Sequence, residues 1–328
     1  MLRLPNDSAP TGVLLDDHLA ACGGPSAVVA AIARAVVPLA DRLAAGRLDG
    51  EPDAVVGVNE SGDKQKALDL AAHDHMLAAL KAAGVARVLS EEAEAVIELS
   101  TGGAWDVAID PIDGSGSIGI GAPLGTLFSI LPAAENGFMR NGRSVVAAGY
   151  ASFGHSLDFG FSLGDGVTIS TYDRRAEQFR IVASTVKVRA TTNSVAYNAS
   201  NERHWPPQLR SYVRDLLAGK GGPRGREFNM RWLAAAVGEL HRILLQGGVF
   251  LYPADQRAGY ERGRLRLIYE AVPIAFLMEQ AGARATDGTM PILDRHPVEL
   301  HEHTPLIFGA AEEVDIIGRY IGGTKLEG

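Results

Sequence analysis

Residues 106–115 read Asp-Val-Ala-Ile-Asp-Pro-Ile-Asp-Gly-Ser, an apolar run that ends on one carboxylate and turns at once into a second. Apolar residues leading into Asp110 predict a buried strand whose last residue emerges at the sheet edge, where α/β proteins place their ligand sites. Pro111 fixes its own φ and disfavours helix before it, so the chain must turn. Gly114 and Ser115 can then aim backbone N–H groups at an anion. Two hard carboxylates beside such a turn suit Mg²⁺ and a phosphate. Most Asp-Pro and Asp-Gly pairs are surface Asx turns; the whole run behind an apolar strand is a rarer arrangement.

The rest of the chain narrows the class. At 328 residues, 46% hydrophobic and 21% charged, it reads as a soluble globular protein with room for one large domain or two ordinary ones. A net charge of −8 leaves no basic stripe for nucleic acid, so an anionic small molecule would need local Arg and metal. Cys22 is the sole cysteine, which excludes an internal disulfide and fits a reducing compartment. The N-terminal residues lack a basic region followed by a long apolar run, and Ala27–Val37 is interrupted by Arg34, so the expectation is a cytoplasmic protein without a membrane span.

Periodicity predicts helices over Ser26–Ala45, with Gly46 after its end, and over a segment whose apolar residues Leu68, Ala72, Met76 and Leu80 share a face and which Gly84 closes. Residues 1–24 are polar and punctuated by Gly and Pro, which predicts little order. Val85–Leu89 and Trp105–Ile109 read as strands ending in carboxylates. Thr126–Leu131, Ser144–Ala151, Val167–Ser170 and Phe179–Val182 read as antiparallel strands. From about residue 187, helices over Gln208–Leu217, Met230–Leu245, Leu267–Gln280 and Glu312–Tyr320 alternate with strands at Val249–Tyr252 and Leu306–Ala310. That change of pattern divides the chain into an acidic lobe, 1–186, and a second α/β lobe, 187–328.

Gly62-Asp63 with Leu68-Asp69, Ser90-Glu91-Glu92, the Asp110–Ser115 run, Arg231, Phe250-Leu251-Tyr252-Pro253 and Leu265-Arg266-Leu267-Ile268-Tyr269-Glu270 occur in one order. In that order they resemble the class I fructose-1,6-bisphosphatases over roughly residues 25–320. The Asp motif alone marks the wider lithium-sensitive, inositol-monophosphatase-like superfamily, and the later segments narrow it to sugar bisphosphatases. The resemblance implies an α/β fold of layered αβαβα type in two lobes, and hydrolysis of the 1-phosphate of fructose 1,6-bisphosphate. It implies that Glu91, Asp110, the Ile112 carbonyl, Asp113 and Glu270 hold Mg²⁺, two or more ions per site, with Asp63 near an additional one. Clustered carboxylates would otherwise repel one another strongly. It further implies that Asp69 and Glu92 activate the attacking water, and that Asp113, Gly114, Ser115 and Gly116 receive the reacting phosphate.

By the same resemblance the far phosphate is held by Asn198, Asn201, Arg231, Trp232, Tyr252 and Arg264, with Arg231 reaching in from a neighbouring subunit of a homotetramer. The match departs from the family where Asn201 and Trp232 replace Tyr and Arg264 replaces Lys. Trp232 lacks the phenol's acceptor, while Arg264 keeps a planar fork for phosphate. A seven-carbon sugar bisphosphate is therefore the alternative substrate, and a catalytically silent sugar-phosphate sensor is the alternative of another class. Familiar members are inhibited by AMP bound between the start of the first helix and a Lys-Tyr pair. Here those places hold Gly23-Gly24-Pro25-Ser26-Ala27 and Ala104-Trp105. His73-x-His75 and His301-x-His303 have no third ligand nearby in sequence and read as helix-face or surface residues, and His241 as a satisfied buried imidazole.

Overall fold

The structure is a computed structural model that describes residues 12–58 and 64–323. Its helices are α1 (Leu15–Ala20), α2 (Ser26–Ala45), α3 (Ala67–Ala82), α4 (Pro207–Leu217), α5 (Ala236–Gln246), α6 (Val272–Gln280) and α7 (Ala311–Ile321). The first strands are β1 (Val55–Val58), β2 (Lys64–Lys66), β3 (Arg87–Ser90), β4 (Ile97–Glu98), β5 (Trp105–Asp113) and β6 (Leu124–Pro132). They are followed by β7 (Ala147–Phe153), β8 (Leu157–Ser162), β9 (Val167–Asp173) and β10 (Gln178–Val186). Beyond them lie β11 (Ser194–Tyr197), β12 (Asn229–Met230), β13 (Val249–Tyr252), β14 (Leu265–Arg266), β15 (Arg284–Thr286), β16 (His303–Thr304) and β17 (Leu306–Gly309).

Two large sheets organise these elements: eight strands in the order β10-β9-β8-β7-β6-β5-β3-β4, and five in the order β12-β11-β13-β17-β15. Strand alternation sends side chains to different layers. Val107 and Ile109 of β5 join Val29, Ile32 and Val36 of α2 and Met76 and Leu80 of α3 on one face. Ala108 points to the other, where Leu240 and Ile243 of α5 and Ile274 and Leu277 of α6 fill the space up to Phe250 and Phe308. Val249, Leu251 and Ile307 turn the opposite way, onto Tyr212 and Val213 of α4 and Val314 and Ile317 of α7. The layers therefore run α1–α3, large sheet, α5–α6, small sheet, α4 with α7, which is the expected αβαβα arrangement.

Several elements differ from the sequence expectation. The chain is already ordered at α1, whose Leu15 and Leu19 are buried in the outer layer. β8 was not expected; Gly160 breaks its propensity, but Leu157, Phe159 and Phe161 alternate into the core, and the glycine leaves room for the Tyr150 ring. The helix expected from Met230 starts only at Ala236. Before it lie β12 and a segment in which Ala234 adopts a φ of 62°. Arg231 and Trp232 are consequently on a connection, not on a helix. The helix expected from Leu267 opens as a π-turn, Leu267–Ala271, before α6.

Candidate active site

Parallel pairing brings the acidic residues together. β3 and β5 run parallel with Ser90 opposite Ile109, so the residues that follow, Glu91 and Asp110, leave the same end of adjacent strands. Asp110 does not end its strand as expected. β5 continues to Asp113 across a bulge: Asp110 pairs with Leu127 but Asp113 with Gly125, so three steps on one strand match two on the other. In a regular strand, residues an odd number apart face opposite sides; the extra residue turns both aspartates to one side. Pro111 sits inside the bulge, and its carbonyl accepts a hydrogen bond from Thr126 Oγ1 at 2.8 Å. Gly114, at φ 81°, then makes the turn, and a Cβ there would stand 2.8 Å from that of Ala235. Ser115–Ser117 forms one 3₁₀ turn that contains Gly116.

The inter-sheet layer supplies the remaining parts. Glu270 lies in the π-turn ahead of α6, its carboxylate accepting from the Arg266 amide. Carboxylate oxygens of Asp110, Asp113 and Glu270 lie within 4.8 Å of one another, and all three residues are buried. Glu91, half-buried, hydrogen-bonds to Asp110. Asp113 faces the N-terminus of α5 and accepts from Val237 N at 2.7 Å.

Burial sets the protonation of this cluster. Asp110 and Glu270 are pushed well above the usual carboxylate range, first by burial and then by their acidic neighbours. Glu91 is pushed up to about 7 by burial, despite its bond to Asp110. Asp113 rises only to about 6, because amides of Val237, Ala236 and Gly114 and the Glu270 side chain favour its charged form against burial. Four oxygen-donor side chains that resist ionising together fit a hard divalent cation, which favours their charged forms and takes oxygen ligands.

Beside the cluster, Asp69 stands in the first turn of α3. It is buried, and its Oδ2 accepts from Lys66 N at 3.3 Å while Oδ1 has no partner among the described residues. Burial and then the Glu92 charge push it up to about 7. Glu92 is half-buried, directly after Glu91 in the turn that follows β3. Asp63 lies outside the described residues. Sequence reasoning missed Lys66, whose Nζ donates to the Ser115 carbonyl at 2.6 Å and ties α3 to the turn after the Asp motif. Its signal was a cation three residues ahead of Asp69. His73 lies on a face of α3, as one of the two readings had it, and that face is the buried one, with Nδ1 2.8 Å from Ser90 Oγ. His241 is satisfied as expected, 2.8 Å from the Tyr150 hydroxyl.

The small sheet repeats the device. β12, β11 and β13 are mutually parallel along that edge, and Arg231 with Trp232, Asn198 and Tyr252 leave or end those strands at their C-terminal ends. Trp232 stacks on Phe250 at 5.7 Å and on Tyr252 at 6.2 Å. Asn198 caps the following 3₁₀ turn, which carries Asn201, by accepting from Ser200 N at 3.1 Å. Arg231 is exposed, with its guanidinium on the Met230 carbonyl at 2.9 Å. Glu239, another residue sequence reasoning missed, is fully buried and holds this connection by accepting from Leu233 N at 2.8 Å. Arg264 is exposed at the head of β14, six residues before Glu270.

The comparisons agree with this geometry. The family model for the fructose-1-6-bisphosphatase N-terminal domain matches residues 47–184, and that for the C-terminal domain matches 188–322. The fructose-1,6-bisphosphatase class 1 of Brucella ovis is 53% identical over 283 residues, which are 86% of this chain and 83% of that protein. That of Brucella suis biovar 1 is 52% identical over the same span. Leishmania major fructose-1,6-bisphosphatase in holo form superposes with a TM-score of 0.88 at 27% identity, covering 95% of this chain and 99% of the other. The same protein in T-state gives a TM-score of 0.85 at 26% identity, covering 96% and 100%. Sequence, domain order and fold thus converge, and the chain belongs to the class 1 fructose-1,6-bisphosphatase family.

Proposed function

We infer that this protein hydrolyses the 1-phosphate of fructose 1,6-bisphosphate to give fructose 6-phosphate and phosphate. The observation that carries the reading is the buried grouping of Asp110, Asp113 and Glu270, joined by a short stretch of chain to Arg264. One end of a bisphosphate would meet the carboxylates and their cations while the other meets the guanidinium. In this reading Glu91, Asp110, the Ile112 carbonyl, Asp113 and Glu270 hold Mg²⁺, with Asp63 near a further ion. When bound, Mg²⁺ supplies charge neutralisation for the phosphate and lowers the pKa of water.

The chain's own groups do the rest. Amides of Gly114, Ser115 and Gly116 present donors to the reacting phosphate, close to the N-terminus of α5. Asp69, whose Oδ1 is free of partners among the described residues, takes the proton of the attacking water, and Glu92 shares that role. A carboxyl pushed up to about 7 is basic enough to accept that proton near neutrality. Asn198, Asn201, Arg231, Trp232, Tyr252 and Arg264 bind the far phosphate and the sugar.

Two lobes, 1–186 and 187–328, divide this work: the first brings most of the carboxylates, the second Glu270 and the far-phosphate residues. The exposure of Arg231 supports its serving a neighbouring copy, and a homotetramer completes the proposal. So does a cytoplasmic role in carbohydrate metabolism, in gluconeogenesis or carbon fixation. Among the described residues no helix is long and apolar enough to cross a membrane. Trp232 and Arg264 favour one second reading, a sedoheptulose-1,7-bisphosphatase or an enzyme of both sugars. Phosphate release by the purified protein from each bisphosphate, with Mg²⁺ and with a chelator, tests both. No release from either sugar would overturn the inference.

A further inference from the structure

The connection between Tyr252 and Leu265 sets two guanidinium groups on one aromatic ring. Arg257 lies 4.0 Å and Arg264 4.9 Å from the Tyr260 ring centroid. The two cations are not equivalent. Arg257 is neutralised by buried Asp255, with Nη2 on Oδ2 at 2.5 Å and Nε on Oδ1 at 3.0 Å. Arg264 is exposed and makes no hydrogen bond or ion pair among the described residues, so the ring is its partner.

The main chain of Tyr260 is also the hub of its loop. The Tyr260 amide donates to the Arg257 carbonyl at 2.9 Å, and the Tyr260 carbonyl accepts from Asp255 N at 3.0 Å and Gly263 N at 3.1 Å. Gly263 is at φ 82°, and a Cβ there would meet the Thr304–Pro305 backbone at 2.3 Å, so the loop is pressed onto the neighbouring strand. A ring carried on a backbone held in this way restrains the long, rotamer-rich side chain of Arg264. Contact through the aromatic face leaves the guanidinium's N–H donors available to an anion.

We propose that Tyr260, braced by the Asp255–Arg257 pair, is a positioning residue that presents Arg264 to the phosphate at the non-reacting end of the substrate. The proposal rests on the assignment of Arg264 to that phosphate. Like charges on one ring would repel, and Asp255 removes that repulsion by pairing with one of them.

Steady-state kinetics on fructose 1,6-bisphosphate with Tyr260→Phe, Tyr260→Leu and Tyr260→Ala provide the test. The Leu and Ala variants should raise KM by about three- to ten-fold, with a smaller change in kcat, because a π-face contact and the order it imposes are lost. Tyr260→Phe keeps the face and should retain the wild-type KM; Leu keeps the bulk and should not. In an Arg264→Ala background, Tyr260→Ala should change kcat/KM by less than about twofold, because the group it positions is gone. Unchanged KM in the Leu and Ala variants, a rise in the Phe variant, or an undiminished effect without Arg264 would each overturn the proposal. A wild-type protein that releases no phosphate from the sugar would instead fail the functional reading itself.

Discussion

The acidic centre and the end proposed to hold the far phosphate are built by one device and finished in opposite ways. Both collect their residues at the C-terminal ends of parallel strands: β3 with β5 in the large sheet, β12 with β11 and β13 in the small one. At the acidic centre each buried carboxylate is fixed by backbone: Asp113 by Val237 N, Asp110 by Ile112 N at 2.9 Å, Glu270 by Arg266 N. At the other end Arg231 and Arg264 are exposed, and order comes from stacked rings. Reacting atoms must be placed to within a fraction of an ångström, whereas a group that only binds tolerates exchange of one cation or ring for another. The departures from the family, Asn201, Trp232 and Arg264, fall at the tolerant end.

The largest effect should come from breaking the rigid end. Asp113→Asn keeps an acceptor for Val237 N but removes a charge and a hard oxygen ligand, so kcat should fall by about a thousandfold. The melting temperature of the metal-free variant should hold or rise, because carboxylate repulsion is relieved. Circular dichroism with a phosphate-release assay reads both, and wild-type turnover at ordinary Mg²⁺ would mean the reaction centre lies elsewhere. Glu91→Gln should behave alike.

Arg264→Ala removes one charge from the tolerant end and should act on the other kinetic constant. A charge-assisted contact to a non-reacting phosphate contributes about equally in the ground and transition states. KM should therefore rise roughly ten- to a hundred-fold while kcat changes much less. A fall in kcat with KM unchanged would erase the contrast between the two ends.

The two ends also differ in how far the sequence disclosed them. The Asp motif was legible because an apolar run leads straight into its carboxylates and a Pro-containing bulge leaves a local signature. The αβαβα layering was implied by the resemblance to the bisphosphatases, while helix periodicity located α2 and α3 themselves. What was hidden depends on contacts distant in sequence. The delayed start of α5 requires Ala234 at positive φ and Glu239 reaching back to Leu233, which the apolar run from Met230 does not reveal. The burial of His73 depends on Ser90 across the helix–sheet contact. Tyr260 sits in a polar loop with no periodicity, and its part is apparent only once Arg257 and Arg264 are placed around it.

A smaller effect separates the ends by pH. In the unfolded chain Glu91 and Asp113 ionise near 4, but in the fold they are held up to about 7 and about 6. Between those values the folded state binds more protons, so their contribution to metal-free stability is present at low pH and lost as pH rises through 6 to 7. Mg²⁺ reverses this by favouring the charged forms. Its stabilisation should therefore be larger at pH 8 than at pH 5.5, by about 2–5 °C in melting temperature measured with and without chelator. Equal Mg²⁺ shifts at both pH values would detach these carboxyls from the ion. Arg264→Ala should leave the difference unchanged.

The smallest expected effect is none, and it compares two helix N-termini. That of α5 is turned to use: its amides meet Asp113. That of α2 meets no acidic side chain in the same way among the described residues; its Val28 N and Val29 N go to the Pro25 carbonyl at 2.9 and 3.1 Å. Ser26, the hydroxyl at that helix start, is buried and donates to the Cys22 carbonyl at 3.0 Å. Ala104 and Trp105 bring no ammonium to this region. Of the nearby guanidinium groups, Arg87 is bound to buried Asp106 at 2.7 Å and Arg140 lies 3.5 Å from it. Losing a cation contact of about 1.5–3 kcal/mol should weaken AMP at least tenfold, and a ligand that binds no state well shifts no equilibrium. AMP titrated into the Mg²⁺-dependent assay should therefore leave phosphate release unchanged at micromolar concentrations, and half-inhibition there would show that the α2 terminus takes an anion as α5 does.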